Sequence, residues 1–121
     1  MLFSEDLEAA AFRAGADYAW RRPEAVRAAR ALAESGFAIL GGELWLVRGT
    51  ELFALLPQHV GPPAVYHWES ERNPSESWSQ FVSRSCAESL SAIQTLPGHG
   101  EVNAPAGAQI YYNLTWVSEH E

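Results

Sequence analysis

The stretch FAILGGELWLV, residues 37–47, decides the fold of this chain. It is bounded by Gly36 and by the turn-forming Arg48-Gly49-Thr50, and its aromatic and branched apolar side chains favour a β-strand. The adjacent Gly41 and Gly42 predict a β-bulge or the close approach of another backbone. We therefore predict a central strand in which both glycines are structural.

Alternation along this strand separates its side chains into two faces. Glu43, Trp45 and Val47 share one face, and Leu44 and Leu46 share the other. If the two leucines pack against helices, Trp45 faces outward beside an acid. Tryptophan is enriched at the centres of protein interfaces, because it buries a large rigid area. The pattern therefore indicates a docking surface, with a second covered sheet face as the alternative.

Residues 1–35 are predicted to form two helices. Ser4 is placed to cap the first helix, which apolar residues at helical spacing extend as far as Tyr18: Leu7, Ala11, Ala14 and Tyr18. The second helix runs over residues 24–35. It starts after Pro23, which suits a first helical position, and ends before Gly36, which suits a left-handed cap.

The rest of the chain predicts three strands and one long helix. The strands cover residues 52–56, 65–69 and 108–117, and the helix begins at Asn73-Pro74 and ends at Pro97-Gly98. The hairpin-like spacing of the middle strands favours antiparallel pairing. We predict an α+β fold, with an antiparallel sheet of about four strands and helices packed on one face, as a single domain over residues 1–121.

The charge balance limits the possible partners. The 121 residues carry eight basic side chains, all arginine, against fifteen acidic ones, for a net charge of −7. A chain this acidic repels phosphate backbones and attracts basic proteins, so we expect no nucleic-acid partner. No apolar run approaches the roughly 20 residues of a membrane-spanning helix, and no secretory leader follows Met1. We expect a cytoplasmic protein without a membrane partner.

Catalytic and metal-binding motifs are not recognisable in the sequence. The four histidines are dispersed, and only His67 and Glu69 share a strand face in a way that suggests ligand spacing. Cys86, the single cysteine, lies among apolar residues of a predicted helix, where a thiol is inert. Glu69, Glu71 and Glu76 form an acidic cluster typical of a solvated strand end and a helix start. We expect no catalytic residue, no metal and no cofactor.

Several segments together resemble a known bacterial family. Ala19-Trp20, the segment AILGGEL at 38–44, Trp68-Glu69, the segment ES…FVSRS within 76–85 and YYNL at 111–114 are similar to the immunity protein 40 family. The chain departs from the family pattern over residues 52–63. The resemblance implies a cytoplasmic immunity protein that binds and neutralises a cognate polymorphic toxin, without a cofactor and without turnover.

The leading hypothesis is therefore a toxin inhibitor that occludes a basic partner with an acidic, tryptophan-containing surface. The residues expected to contact the toxin are the acids and tryptophans of the exposed sheet, with Glu76 at the rim: Glu43, Trp45, Trp68, Glu69, Glu71 and Glu76. This assignment combines the implied family function with the strand alternation described above.

Two alternatives stay open. A small ligand-binding domain or enzyme would use His67, Glu69 and the loop at residues 60–63, and predicts a deep pocket lined by Trp45, His67 and Trp68. A homodimer would pair the exposed sheet face with its own copy, and would bury Trp45 and Trp68 only on association.

Overall fold

Three helices and six strands are present in the part of the chain that this computed structural model describes, residues 2–54, 65–98 and 105–120. In chain order they are α1 (Glu5–Ala10), β1 (Phe12–Ala14), β2 (Asp17–Trp20), α2 (Arg22–Glu34), β3 (Ala38–Arg48), β4 (Glu51–Ala54), β5 (His67–Glu69), α3 (Trp78–Thr95) and β6 (Gln109–Val117). The strand order is β1-β2-β6-β3-β4, with β5 beside β3. Every pairing is antiparallel.

The predicted fold class is confirmed, while the sheet is larger than predicted. The 11-residue β3 is its central strand, as predicted from the segment at residues 37–47. It pairs with β6 on one side, and on the other side with β5 along its first half and β4 along its second half. The predicted strand over residues 65–69 begins only at His67. Residues 55–56 of the predicted strand over 52–56 lie outside the described residues.

The first predicted helix is wrong beyond its second turn. Ser4 caps α1 as expected, because its hydroxyl accepts a hydrogen bond from the amide of Leu7. However, α1 ends at Ala10, and β1 and β2 form a hairpin in which Phe12 pairs with Ala19. The turn between them contains Gly15 at φ 62°, a left-handed conformation that glycine adopts without strain. Packing of the hairpin against the rest of the sheet outweighs the helical spacing of its apolar residues.

The core lies between the sheet and the helices. The predicted inward face of β3 is confirmed, since Leu44 and Leu46 are each 1% exposed. Alanines on the buried face of α2 allow close helix–sheet packing. The buried cluster also includes Ile39, Tyr112, Leu114, Ala25, Ala28, Ala29, Leu32 and Ile93.

The long helix begins later than predicted. Asn73-Pro74 does not start it; the carbonyl of Asn73 instead accepts a turn hydrogen bond from the amide of Glu76. The N-cap of α3 is Ser77, whose hydroxyl accepts from the amide of Gln80, while the Gln80 side chain accepts from the amide of Ser77. This capping box satisfies two amides that a helix start otherwise leaves unpaired, and it decides where α3 begins.

The expectation that Trp45 faces outward as an exposed side chain is wrong. Trp45 is 5% exposed, in a second apolar cluster on the sheet face opposite the helices. The Phe12 ring, on β1, lies 6.2 Å from the Trp45 ring, although β2 and β6 separate β1 from β3 in the sheet. Four strands of a flat sheet would span about 14 Å. The sheet therefore curls, and the unpredicted hairpin covers Trp45.

Candidate functional site

Two glycines bring three strands together at the centre of the sheet. The pairing of β3 with β6 shifts register between Ile39 and Gly41, and Gly41 has φ +146°. A Cβ atom at Gly41 would overlap the carbonyl oxygen of Trp68 on β5. A Cβ at Gly42 would overlap the carbonyl oxygen of Asn113 on β6 and lie 2.5 Å from Cη2 of Trp68. The predicted bulge and close backbone approach are both confirmed.

Beside this bulge lies an open depression of about 500 Å3. Its lining comes from four strands and the residue preceding β5. The lining residues are Asp17, Leu40, Gly41, Gly42, Glu43, Trp45, Tyr66, His67, Trp68, Glu69, Asn113 and Thr115. Three of these are acids, and none of these described lining residues is a lysine or arginine.

The pairing register explains how acids from distant parts of the chain share this depression. Gly41 pairs with Thr115 on one side and with Glu69 on the other. Tyr18 pairs with Leu114 in an antiparallel pair. Asp17 precedes Tyr18 and Thr115 follows Leu114, so Asp17 lies opposite Thr115. The next position of β3 on the same face is Glu43, whose partner on β5 is His67. The acids therefore come from β2, β3 and β5, in two adjacent rows of the sheet.

Two side chains in the depression have defined hydrogen bonds. The indole Nε1 of Trp45 donates to Oε1 of Glu43 at 2.9 Å, which orients that carboxylate. Asn113 is 5% exposed, and its Nδ2 donates to the carbonyl oxygen of Tyr18 at 2.9 Å. Since a carbonyl can only accept, this bond determines which end of the Asn113 amide is the acceptor. Its Oδ1 receives no hydrogen bond from any residue in the described ranges.

Trp68 lines the depression but is anchored to the helices. Trp68 pairs with Gly42, and its ring lies over Gly42. The next residue of β3 on the same face as Gly42 is Leu44, which faces the core. The indole Nε1 of Trp68 donates to Oγ of Ser89 on α3 at 3.1 Å. Trp45 and Trp68 therefore belong to opposite faces of the sheet and do not form one exposed aromatic patch.

Glu71 and Glu76 lie outside the depression, in the segment between β5 and α3. Both carboxylate oxygens of Glu76 accept from Arg84, at 2.7 and 2.9 Å. The same guanidinium also donates to the carbonyl oxygen of Glu71 and to Glu88, and Ser70 donates to Glu88 at 2.7 Å. This network fastens the segment to α3, and the two-point Arg84 contact holds the pKa of Glu76 at about 2.

The depressed pKa of Glu76 predicts an acid-dependent loss of stability. The ordinary pKa is 4.5, above the folded value of about 2, so the ion pair stabilises the fold fully above pH 4.5 and progressively less as the pH falls towards 2. Replacing Glu76→Gln should therefore destabilise the protein at neutral pH and have a shrinking effect on acidification. Urea denaturation of both proteins across this range measures the difference.

The control for this prediction is the same substitution in an Arg84→Gln background. Because Arg84 is the main cause of the lowered pKa, Glu76→Gln should then cost little at any pH. A pH-dependent difference of the same size in both backgrounds would contradict the assignment.

The structure brings together four of the six predicted contact residues. Glu43, Trp45, Trp68 and Glu69 line one depression, while Glu71 is exposed outside it and Glu76 is paired with Arg84. Sequence reasoning missed Asp17, Asn113 and Thr115. The alternation of Tyr18, Ala19 and Trp20 after a glycine was the available signal for the hairpin that places Asp17.

Metal-binding and membrane-spanning features are absent from the described ranges. There, no group of three or more histidine, cysteine, aspartate or glutamate side chains could hold a metal ion. No described helix has the length and apolar character needed to cross a bilayer.

Comparison with known proteins identifies a family for this chain. The chain matches the family model described as immunity protein 40 over residues 6–116. No curated protein and no solved structure matches it significantly. The matched range includes the hairpin, the central strand with its two glycines, the long helix and nearly all of β6. On this match over most of its length, the chain belongs to the immunity protein 40 family.

Proposed function

We propose that this immunity protein neutralises its cognate toxin by binding a basic surface of that toxin in the acidic depression. Family membership implies an immunity protein that acts against a toxin. The observation that carries the proposed mode of binding is the lining of the depression. Its charged side chains are Asp17, Glu43 and Glu69, without a lysine or arginine among the described lining residues.

Electrostatics supports this mode of binding in two ways. The net charge of −7 attracts a basic partner over long range, which raises association rates at low salt. The hydrogen bond from Trp45 orients the Glu43 carboxylate before a partner arrives. A pre-oriented group loses less conformational freedom on binding.

The predicted contact residues have different roles in this proposal. Glu43 and Glu69, together with Asp17, contact the toxin directly. Trp45 and Trp68 support the depression from its two sides. Glu71 contributes an exposed charge at the rim of the depression. Glu76 acts there through its contact with Arg84, which holds the segment between β5 and α3 against α3.

Charge reversal in the depression should abolish protection. We expect that co-expression of this chain in the cytoplasm with the toxin encoded beside it rescues bacterial growth. The double variant Asp17→Lys/Glu69→Lys should fail to rescue, because like charges facing a basic surface weaken binding by about 100-fold or more. Cell survival is the readout, and circular dichroism checks that the variant is folded.

The matched control is Glu34→Lys/Glu119→Lys, which makes the same change in net charge at exposed positions that do not line the depression. This variant should still rescue. Equal loss of rescue by both variants would mean that overall charge, not the depression, carries binding. Full rescue by the depression variant would overturn the proposed site.

The small-ligand alternative would act at the same place. The depression is lined by Trp45, His67 and Trp68, as that hypothesis expects, while the loop at residues 60–63 lies outside the described residues. Its volume falls within the range of about 300–1,000 Å3 for ligand pockets. However, such pockets are mostly apolar and enclosed, whereas this one is open and has three carboxylates. A protein partner fits it better.

The homodimer alternative receives no support from the two tryptophans. Trp45 is already buried in the single chain, with only 5% of it exposed, and Trp68 is half-buried against α3. Their burial therefore does not require a second copy.

A further inference from the structure

We propose that Ser89, on the buried face of α3, is a positioning residue for toxin binding. This inference rests on the proposed function and deepens it, by naming a residue outside the depression that determines where side chains of the depression stand. Ser89 acts through Trp68, to which it is hydrogen-bonded, and so holds β5 in place. His67 and Glu69 belong to the same short strand and line the depression.

The pairing of β5 with the sheet gives it little support. The strand is three residues long, and among the described strands it pairs with β3 alone. Two of the three β3 residues opposite it are Gly41 and Gly42, which offer no side chain for a cross-strand contact. Such contacts are a main source of stability in a sheet, so the position of β5 depends on contacts made elsewhere.

The contact between β5 and Ser89 is buried. Ser89 is completely buried, and its Oγ accepts a hydrogen bond from Nε1 of Trp68 at 3.1 Å. Breaking this bond leaves a buried hydroxyl without that partner, which is costly. Glu88 of α3 also accepts a hydrogen bond from Ser70, which follows β5, but Glu88 is exposed and water can replace that bond. We therefore assign the anchoring of β5 to Ser89.

Alternation along β5 carries this constraint to the depression. Trp68 reaches towards α3, and its neighbour Glu69 lies on the opposite face of the strand. Glu69 stands opposite Gly41, which has no side chain to hold the Glu69 carboxylate in place. A shift of β5 would therefore move Glu69 relative to Glu43 on β3. Removing the Ser89 hydroxyl should weaken toxin binding without changing the charge of the depression.

Ser85, one turn earlier on α3, provides a matched control. It is also completely buried, and its Oγ accepts from the amide of Ile39 at 3.0 Å and donates to the carbonyl oxygen of Val82 at 3.2 Å. Ile39 lies on β3 and pairs with β6. Ser85→Ala should therefore destabilise the protein without releasing β5, whereas Ser89→Ala should do both.

The test measures how fast the toxin leaves this chain. The toxin encoded beside it is purified in complex with each variant, and an excess of fluorescently labelled wild-type chain replaces the variant as it dissociates. The Ser89→Ala complex should dissociate about three- to tenfold faster than the wild-type complex, as expected for one hydrogen bond. The Ser85→Ala complex should dissociate at the wild-type rate. In the free proteins, amide hydrogen exchange in β5 should be faster for Ser89→Ala alone.

Trp68→Phe tests whether Ser89 acts through Trp68. This substitution keeps an aromatic ring and removes the Nε1 donor, so it should speed dissociation as Ser89→Ala does, and combining the two should add little. A wild-type dissociation rate for Ser89→Ala, an equal increase for Ser85→Ala, or full additivity of Ser89→Ala and Trp68→Phe would overturn the inference.

The outcome separates this inference from the proposed function. If charge reversal abolishes protection and Ser89→Ala dissociates at the wild-type rate, the depression binds the toxin and the positioning role of Ser89 is wrong. If the charge-reversed chain still protects while Ser89→Ala and Trp68→Phe speed dissociation without adding, the positioning role stands, β5 supports a different toxin contact, and the proposed site is wrong.

Discussion

Gly42→Ala is expected to lower the free energy of unfolding by about 3 kcal/mol, at the upper end of the cost of overpacking a core. The new methyl group would overlap the carbonyl oxygen of Asn113 and press on the Trp68 ring. The carbonyl belongs to the backbone of a paired strand and cannot rotate away. Small domains have a total stability of only about 5–15 kcal/mol, so urea denaturation followed by circular dichroism should show a much earlier transition.

The control for this substitution is Gly36→Ala. Gly36 has φ +82°, and no atom lies within 4 Å of the position that a methyl group would take there, so alanine carries only backbone strain, about 1–2 kcal/mol. Gly42 has the opposite combination, with steric overlap and no positive φ. A Gly42→Ala protein that is no less stable than Gly36→Ala would contradict the close approach of β3 and β6.

Trp20→Ala is the second substitution expected to have a large effect. Trp20 is completely buried, and its ring lies 5.0 Å from that of Phe3. Its Nε1 donates to the carbonyl oxygen of Leu7 at 2.8 Å, which ties β2 to α1. Removing a buried tryptophan side chain costs about 3–5 kcal/mol, and leaving the Leu7 carbonyl unpaired adds about 1–3 kcal/mol. We expect little folded protein at ambient temperature by circular dichroism.

A milder pair of variants keeps this prediction measurable if Trp20→Ala does not fold. Trp20→Phe keeps much of the apolar area and loses the buried hydrogen bond to Leu7, which should cost about 1–3 kcal/mol. Trp78→Phe loses a similar bond, from Nε1 to the carbonyl of Gly36 at 2.9 Å, where water can replace it. Equal destabilisation of the two variants in urea would refute the role assigned to Trp20.

The elements that the sequence predicted well are those with strong local signals. Pro23 lies in the first turn of α2 and Gly36 follows its end; α2 runs from Arg22 to Glu34, within two residues of its predicted bounds. The glycine-interrupted apolar segment is β3, with both leucines inward. In these cases the local preference and the tertiary packing favour the same structure, so sequence patterns suffice.

The hairpin and the start of α3 were missed because two local signals competed at each place. Apolar residues in 7–18 fit a helical period, yet Gly15 allows a turn and the aromatic residues after it fit a strand. Asn73-Pro74 and Ser77 are both acceptable helix starts, and the reciprocal bonds of Ser77 with Gln80 decide between them. Because the hairpin was not predicted, Asp17 was not among the predicted site residues.

By itself the sequence determined the α+β class, the resemblance to the immunity protein 40 family, and the identity of the two faces of the central strand. The tertiary structure alone decided what covers each face. Alternation assigns Glu43 and Trp45 to one side of β3, but the curl of the sheet brings Phe12 onto Trp45 and leaves Glu43 exposed beside Asp17 and Glu69. These contacts join residues far apart in the chain, and a local pattern cannot encode the curvature that creates them.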